Sequence, residues 1–302
     1  MSALRAVLAL ACIAVALWVA VTRWDTLLAG HPAYPVLLGA IALVGVVLGL
    51  RARRARVRGA LRTTGRVLGA VVLVLVLAAA VWLRPYAADP VAVAATVASA
   101  RVDVEHSAGS WELRPTGTPV GAGVVFYPGA LVDPRAYLAL LRPLAERGHV
   151  VVVVNAPLDV ALLAPGAATS AFDAHPEVAA WVVGGHSLGG LPASTTAAGG
   201  DRRVRGLFLW ASYPAQNIAN APVAALSVSG DRDGLTTPAD VAASRALLPP
   251  GTTFTVVRGG IHGYFGDYGV QSGDGDPATT RADAQRQIIA ATEAFVEAES
   301  PP

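Results

Sequence analysis

The sequence predicts an α/β domain with a mostly parallel, doubly wound sheet, preceded by three transmembrane helices. Two patterns favour this fold class. Three long runs almost free of charge occur before about residue 84, and from Arg101 onward short apolar strands alternate with helical spacings. The 302 residues are 54% hydrophobic and only 15% charged, and the apolar excess is concentrated in the three runs.

The apolar runs are Ala6–Val21, Ala33–Leu50 and Val67–Leu83. Each lies at the short end of the lengths that cross a hydrocarbon core as a helix. Buried core helices are the alternative, but the neighbouring sequence offers no amphipathic partners to cover so much apolar surface. The first run could also be a cleaved signal peptide, although no small-x-small cleavage site follows it.

Arginines set the expected orientation. Residues 51–66 contain seven arginines, whereas the connection Thr22–Pro32 has only Arg23, offset by Asp25. The positive-inside bias then keeps the Arg-rich loop and the N-terminus in the cytoplasm, and places everything after Leu83 outside. The loop could also bind anionic lipid head groups, but a role in topology is the simpler interpretation. The sequence therefore predicts a multi-pass cell-membrane protein with an extracytoplasmic domain.

The chain is predicted to have three parts. Residues 1–88 form a membrane anchor, residues 89–120 form a tether and an opening hairpin, and residues 121–302 form a catalytic domain. Ala87–Ala100 is interpreted as a tether or a docking helix. The predicted strands are Val102–His106, Ser110–Arg114, Gly123–Tyr127, His149–Val154, Trp181–Gly184, Val204–Trp210, Val223–Ser229 and Thr253–Val257. The predicted helices are Pro134–Arg147, Leu188–Ala198, Pro238–Leu247 and Thr279–Ala298. This alternation implies right-handed crossovers, and a site beyond the carboxyl ends of the strands.

Charge and cysteine content narrow the chemistry. Residues 89–302 contain 13 arginines and 20 acids, a balance of −7 that argues against a nucleic-acid partner and favours a neutral small molecule. The single cysteine, Cys12, lies in the first apolar run, which excludes a cysteine nucleophile in the domain. The histidines outside the candidate site lack metal-ligand spacing, and Asp274-Gly275-Asp276 is too short for a calcium loop. We expect no metal and no cofactor.

Ser187 is the candidate nucleophile. It lies in Gly185-His186-Ser187-Leu188-Gly189, a Gly-x-Ser-x-Gly pattern between a predicted strand and a predicted helix. Such an elbow forces the serine into a strained turn, where side chains two positions away on either side would collide unless they are glycine.

A serine hydroxyl needs a base within hydrogen-bond reach and an acid that fixes the tautomer of the base. In this type of sheet the order along the chain is serine, acid, histidine. Asp233, three residues past Gly230, is the favoured acid, and Asp231 is the alternative, which could instead cap the turn or pair with Arg232. His262, among four glycines after the last strand, is the favoured base.

Acyl transfer also requires two backbone N–H donors for the oxyanion. The first is expected from Leu188, the residue after the nucleophile. The second is expected from the loop after strand Gly123–Tyr127, where Ala130 is favoured and Gly129 is the alternative.

These segments together resemble the α/β-hydrolase superfamily, and within it the bacterial branch called α/β-hydrolase fold 5, related to dienelactone hydrolases. The likeness covers about Gly121–Phe295. It rests on the segments Val125–Ala130, Gly185–Gly190, Gly230–Asp233, Gly259–Gly266 and Tyr268–Gly275. The resemblance implies a carboxylic-ester hydrolase that works through an acyl-enzyme without a cofactor. The chain departs from the branch at its anchor and at Ile261, where related sequences tend to have a polar residue.

Two other functions fit the same residues: an acyltransferase to a cell-envelope alcohol, and a non-catalytic domain that binds a ligand. The interval Gly190–Asp233 is too short for a large lid. We therefore expect an open pocket for a small ester, bordered by Pro157–Pro165 and Tyr264–Tyr268.

Overall fold

A computed structural model describes residues 2–52 and 60–301. The chain divides into two compact units, Met1–Pro85 and Tyr86–Pro302. Residues 53–59, which include four of the seven arginines of the predicted Arg-rich loop, lie outside the described residues.

The first unit is helical. Its helices are α1 (Ser2–Thr22), α2 (Trp24–Ala29), α3 (Ala33–Ala52) and α4 (Ala60–Trp82). Helices α1 and α3 pack closely because a Cβ atom at Gly45 would lie 2.8 Å from Cβ of Cys12. The Tyr34 hydroxyl donates a hydrogen bond of 2.5 Å to the Ala80 carbonyl of α4. Helix α2 lies in the connection Thr22–Pro32, where no helix was predicted.

The prediction of three membrane spans is met in part. Among the described residues, two helical segments, Ala3–Thr22 and Ala33–Ala52, are long and apolar enough to cross a membrane. Among the described residues, the third run gives a shorter apolar stretch, Val67–Trp82, within α4. Only 22% of each long segment is buried, unlike the core helix of a soluble protein, although signal sequences share this length and apolarity.

The second unit contains one eight-stranded sheet. Its strands are β1 (Val102–His106), β2 (Ser110–Pro115), β3 (Gly123–Tyr127), β4 (Val151–Val154), β5 (Trp181–His186), β6 (Val204–Trp210), β7 (Ala224–Gly230) and β8 (Thr253–Val257). Its helices are α5 (Pro90–Ala94), α6 (Leu138–Glu146), α7 (Ala167–Ala174), α8 (Gly190–Ala198), α9 (Pro238–Ser244) and α10 (Arg281–Ala298).

The strand order is β1-β2-β4-β3-β5-β6-β7-β8. The β1–β2 and β2–β4 pairs are antiparallel and the remaining five pairs are parallel, which confirms the predicted mostly parallel sheet. The opening hairpin is the edge of this same sheet, since Ser110 lies opposite Val154. Every residue of β3, β4 and β5 is buried, as expected for parallel strands covered on both faces.

Two local features differ from the prediction, and one helix face is partly polar. Helix α8 begins at Gly190 rather than Leu188, because Ser187–Gly189 form a 3₁₀ turn. Helix α7 was missed, since its short segment, rich in alanine, lacks a clear apolar period. The buried face of α10 includes Thr292, whose hydroxyl accepts a 3.0 Å hydrogen bond from Nε1 of Trp210. A polar residue there does not interrupt the core because its hydrogen bond is satisfied.

Candidate active site

Ser187 occupies a tight elbow directly after β5. Its φ angle is +51°, in the left-handed region that side chains rarely adopt. A Cβ atom at Gly185 would lie 2.3 Å from the Gly189 carbonyl oxygen, and one at Gly189 would lie 2.1 Å from the Tyr127 carbonyl oxygen. The hydroxyl of Ser212 donates a 2.6 Å hydrogen bond to the Ser187 carbonyl and fixes the turn from the neighbouring strand end. The two glycines are therefore required for the strained geometry of the elbow.

Backbone strain is concentrated at one edge of the sheet. Among the described residues, the non-glycine positions with positive φ all follow the carboxyl ends of β3 to β6. They are Leu131, Leu158, Asp159, Ser187 and Ala211. Strain of this kind persists only where the surrounding structure holds it, and it clusters at functional sites. The same edge is where parallel sheets bind their ligands.

Asp233 and His262 form a buried pair. Oδ2 of Asp233 lies 2.9 Å from Nδ1 of His262, and the two residues are only 4% and 1% exposed. Oδ1 of Asp233 accepts hydrogen bonds from the backbone N–H groups of Leu235 and Thr236, at 2.8 and 2.7 Å. One oxygen thus fixes the turn after β7, and the other orients the imidazole.

The alternative acid, Asp231, has another partner. Its Oδ1 accepts a 2.6 Å hydrogen bond from the backbone N–H of Gly259, in the loop that leads to His262. Asp231 therefore joins two loops through the backbone, whereas the hydrogen bond to the imidazole belongs to Asp233.

The imidazole of His262 lies beside the elbow but is not hydrogen-bonded to it. Its ring centroid is 4.6 Å from that of His186, the residue before Ser187. Its Nε2 atom is buried and has no hydrogen-bond partner in the described part of the chain. The serine–histidine hydrogen bond is therefore not formed in this arrangement, and Nε2 is available to accept a proton. Such contacts are often long in unliganded enzymes and tighten when substrate binds.

The backbone N–H groups predicted for an oxyanion hole have no partner within residues 2–52 and 60–301. Neither Ala130 nor Leu188 donates a hydrogen bond there. The alternative, Gly129, donates its N–H to the Tyr137 hydroxyl at 2.9 Å. The N–H of Leu131 is also occupied, since it donates to the Asp159 carbonyl at 2.8 Å. In the turn after β3, Ala130 is thus the residue whose N–H is left for a ligand.

Tyr137 joins this turn to the elbow, a role that the sequence analysis missed. Its hydroxyl lies 2.9 Å from Nδ1 of His186. Burial lowers the pKa of His186 well below its usual value and raises that of Tyr137, so both are neutral and the hydroxyl donates to Nδ1. Tyr137 lies in the predicted helix Pro134–Arg147, and a helical pattern does not show where its hydroxyl points.

We predict that Tyr137→Phe lowers stability. The change leaves the Gly129 N–H and Nδ1 of His186 buried without their partner, which costs about 1–3 kcal/mol. The free energy of unfolding, measured by denaturant titration of the full chain in detergent, tests this. Tyr213→Phe is the matched control because Tyr213 is 42% exposed. Equal stability of the two variants would contradict the prediction.

Asp159 lies beside the turn after β3 and has no oppositely charged partner in the described part of the chain. It lies in the segment Pro157–Pro165 predicted to border the pocket, and the turn Ala161–Leu163 packs against Ser187–Gly189. Burial, together with the negative charge of Asp133, raises the pKa of Asp159 to about 8. Asp133 itself forms a buried ion pair with Arg135, at 2.7 Å. The carboxyl of Asp159 is therefore protonated at neutral pH.

We predict that Asp159→Asn stabilises the protein more at pH 9 than at pH 5. Because its pKa is raised in the folded state, Asp159 contributes stability that is lost as pH rises from about 4 to about 8, by up to about 1.4 kcal/mol per pH unit. Asparagine does not ionise, so the Tm difference between variant and wild type should widen by several degrees between pH 5 and pH 9. The exposed Asp103→Asn is the control, and an equal difference at both pH values would refute the prediction.

An eight-stranded, mostly parallel sheet with a serine elbow after its central strand defines the α/β-hydrolase class. Residues 123–287, more than half of the chain, match the model of the Alpha/beta hydrolase family, and the chain belongs to this family. The match agrees with the fold 5 branch that the motifs resemble. The family places this chain among hydrolases.

Several solved structures show partial similarity to this chain. Est1E from Butyrivibrio proteoclasticus is 12% identical, with 66% of this chain and 99% of that chain covered and a TM-score of 0.48. TT1662 from Thermus thermophilus is 19% identical, with 65% and 99% covered and a TM-score of 0.46. An alpha-beta serine hydrolase homologue from Coxiella burnetii is 18% identical, with 56% and 91% covered and a TM-score of 0.43. No curated protein matches this chain.

Proposed function

We propose that this protein is a serine hydrolase that cleaves a small, neutral carboxylic ester through an acyl-enzyme, at the extracytoplasmic face of a membrane. One observation carries the proposal. The buried Asp233–His262 pair leaves Nε2 of the imidazole without a partner among the residues that the structure describes, beside the strained elbow that carries Ser187. A buried, oriented and unoccupied nitrogen is what a general base needs.

In the proposed reaction, Oγ of Ser187 attacks the ester carbonyl carbon while Nε2 of His262 takes the hydroxyl proton. The carbonyl π electrons move to oxygen, and the N–H groups of Ala130 and Leu188 stabilise the charge. Collapse of the intermediate breaks the ester C–O bond, and the leaving alcohol takes the proton from Nε2. Water then attacks the acyl-enzyme with the same base, which releases the acid and restores Ser187. Asp233 holds Nδ1–H throughout and stabilises the imidazolium.

Labelling with a fluorophosphonate probe tests the proposal. The probe phosphonylates an activated serine, so the full chain in its membrane should be labelled and should hydrolyse p-nitrophenyl acetate. Product analysis with a competing alcohol distinguishes hydrolysis from acyl transfer: a transferase gives the alcohol's ester in preference to free acid. An unlabelled, inactive protein would favour the non-catalytic binding domain.

The location is proposed from the helices and the arginines. Two long apolar helices and the apolar part of α4 would form the anchor, and the seven arginines of residues 51–66 would remain in the cytoplasm. In bacterial cells, alkaline phosphatase fused after residue 301 should then be active, and the same enzyme fused after residue 58 should be inactive. The reverse pattern would exclude this topology. Loss of an N-terminal tag would show that the first run is a cleaved signal sequence.

A further inference from the structure

Asp274 is bound by backbone amides from three different loops. Its Oδ1 accepts hydrogen bonds from the N–H groups of His262, Gly275 and Gly234, at 3.0, 2.8 and 3.4 Å. Its Oδ2 accepts a 2.8 Å hydrogen bond from the N–H of Gly263. The carboxylate that resembled part of a calcium loop in the sequence is therefore occupied by protein donors.

Glycines allow the Asp274 loop to approach this closely. A Cβ atom at Gly275 would lie 1.8 Å from the Arg232 carbonyl oxygen, and one at Gly234 would lie 2.6 Å from the Gly273 carbonyl oxygen. The backbone of residues 273–275 therefore lies directly against the turn that carries Asp233. Side chains at these positions would separate the two loops.

Asp274 binds the loops that carry the two members of the acid–base pair. Gly234 is adjacent to Asp233, and His262 is the candidate base itself. The Asp233–His262 hydrogen bond of 2.9 Å depends on the relative position of two loops that are 29 residues apart in sequence. Hydrogen bonds to a carboxylate are about twice as strong as neutral ones, so a single side chain can fix this position.

We propose that Asp274 is a positioning residue, which holds the backbone of His262 and the turn of Asp233 in the register that the acid–base pair requires. This inference rests on the serine-hydrolase function proposed above. Asp274 does not contact the reacting atoms and acts through His262. Outer-shell partners of this kind typically change activity 10- to 100-fold when replaced.

Asp274→Asn is the sharpest variant because it preserves the shape of the side chain. An asparagine can accept hydrogen bonds through only one oxygen, and its NH₂ group would face a backbone N–H of the His262 loop or of its own loop. We expect kcat for p-nitrophenyl acetate and the rate of fluorophosphonate labelling to fall about 10- to 100-fold, with KM changed less than about threefold. Asp276→Asn is the matched control, since Asp276 is exposed and two residues away.

Hydrogen–deuterium exchange of the full chain provides a readout independent of activity. The peptide that covers residues 258–266 should exchange at least about tenfold faster in Asp274→Asn than in wild type or Asp276→Asn. The amides of His262 and Gly263 bind different oxygens of Asp274, so one of them loses its acceptor to the NH₂ group and the loop is held less firmly. Gly275→Ala should reproduce both effects, because its Cβ would push the loop from the acid turn while the carboxylate remains.

The outcomes separate the two proposals. A labelled wild type with equal rates and equal exchange in Asp274→Asn and Asp276→Asn would overturn the positioning role and leave the hydrolase intact. An unlabelled wild type would overturn the hydrolase, and the exchange measurement would still decide whether Asp274 holds the histidine loop.

Discussion

Replacing Ser187 by alanine is expected to abolish fluorophosphonate labelling and to lower kcat for ester hydrolysis by about 10⁴- to 10⁶-fold. The loss is expected to be this large because the substitution removes Oγ, the only attacking atom in the proposed reaction. The turn should survive the substitution because the strain at φ +51° is a property of the backbone, and alanine has the same Cβ atom. Stability should therefore change little, which separates a chemical loss from misfolding.

The matched control is Ser170→Ala, at an exposed serine of α7. It should keep wild-type labelling and kcat. Labelling that persists in Ser187→Ala and disappears in another serine variant would disprove the assignment of the nucleophile. Retained esterase activity without labelling would point to a hydrolysis that does not use an acyl-enzyme.

Replacing Asp233 by asparagine is expected to lower kcat by about 10⁴-fold. The asparagine oxygen can still accept the N–H groups of Leu235 and Thr236, so the turn after β7 should persist. Its NH₂ group would then face Nδ1 of His262 and force that atom to accept a hydrogen bond. The ring proton would move to Nε2, and the base could no longer take the proton of Ser187.

Asp231→Asn distinguishes the two acids. Asp231 binds only the backbone N–H of Gly259 among its described contacts, so its replacement should cost stability and no more than a few-fold in kcat. A larger loss of kcat in Asp231→Asn than in Asp233→Asn would reverse the assignment. Both variants should be compared at matched temperatures below their unfolding transitions.

The sequence predicted the positions of the strands that lead to the site because the local signals are strong. The glycines around Ser187 indicate an elbow, since only glycine fits two positions on either side of the serine. The apolar strands also predicted the parallel sheet, because a strand that is buried on both faces has no alternation of polar and apolar residues. Predicted bounds differed mainly at the ends of elements, as with α8, where a 3₁₀ turn precedes the helix.

The third membrane span was the weakest part of that prediction. The run Val67–Leu83 is apolar, yet a span is defined by length as well as by composition. In the structure α4 runs from Ala60 to Trp82, and its described apolar stretch is Val67–Trp82. The hydropathy pattern predicted this stretch but not the part of the helix that precedes it.

By itself, the sequence determined the fold class, the elbow at Ser187, the order of the serine, acid and histidine segments, and the apolar helices before the domain. Each segment is recognised from residues that are near one another along the chain. Only the tertiary structure decided that His262 meets Asp233 rather than Asp231, that Gly129 is occupied while Ala130 has no acceptor among the described residues, and that Asp274 binds both loops. These are hydrogen bonds between segments brought together by folding, and the periodicity of a sequence contains no information about which donor faces which acceptor across loops.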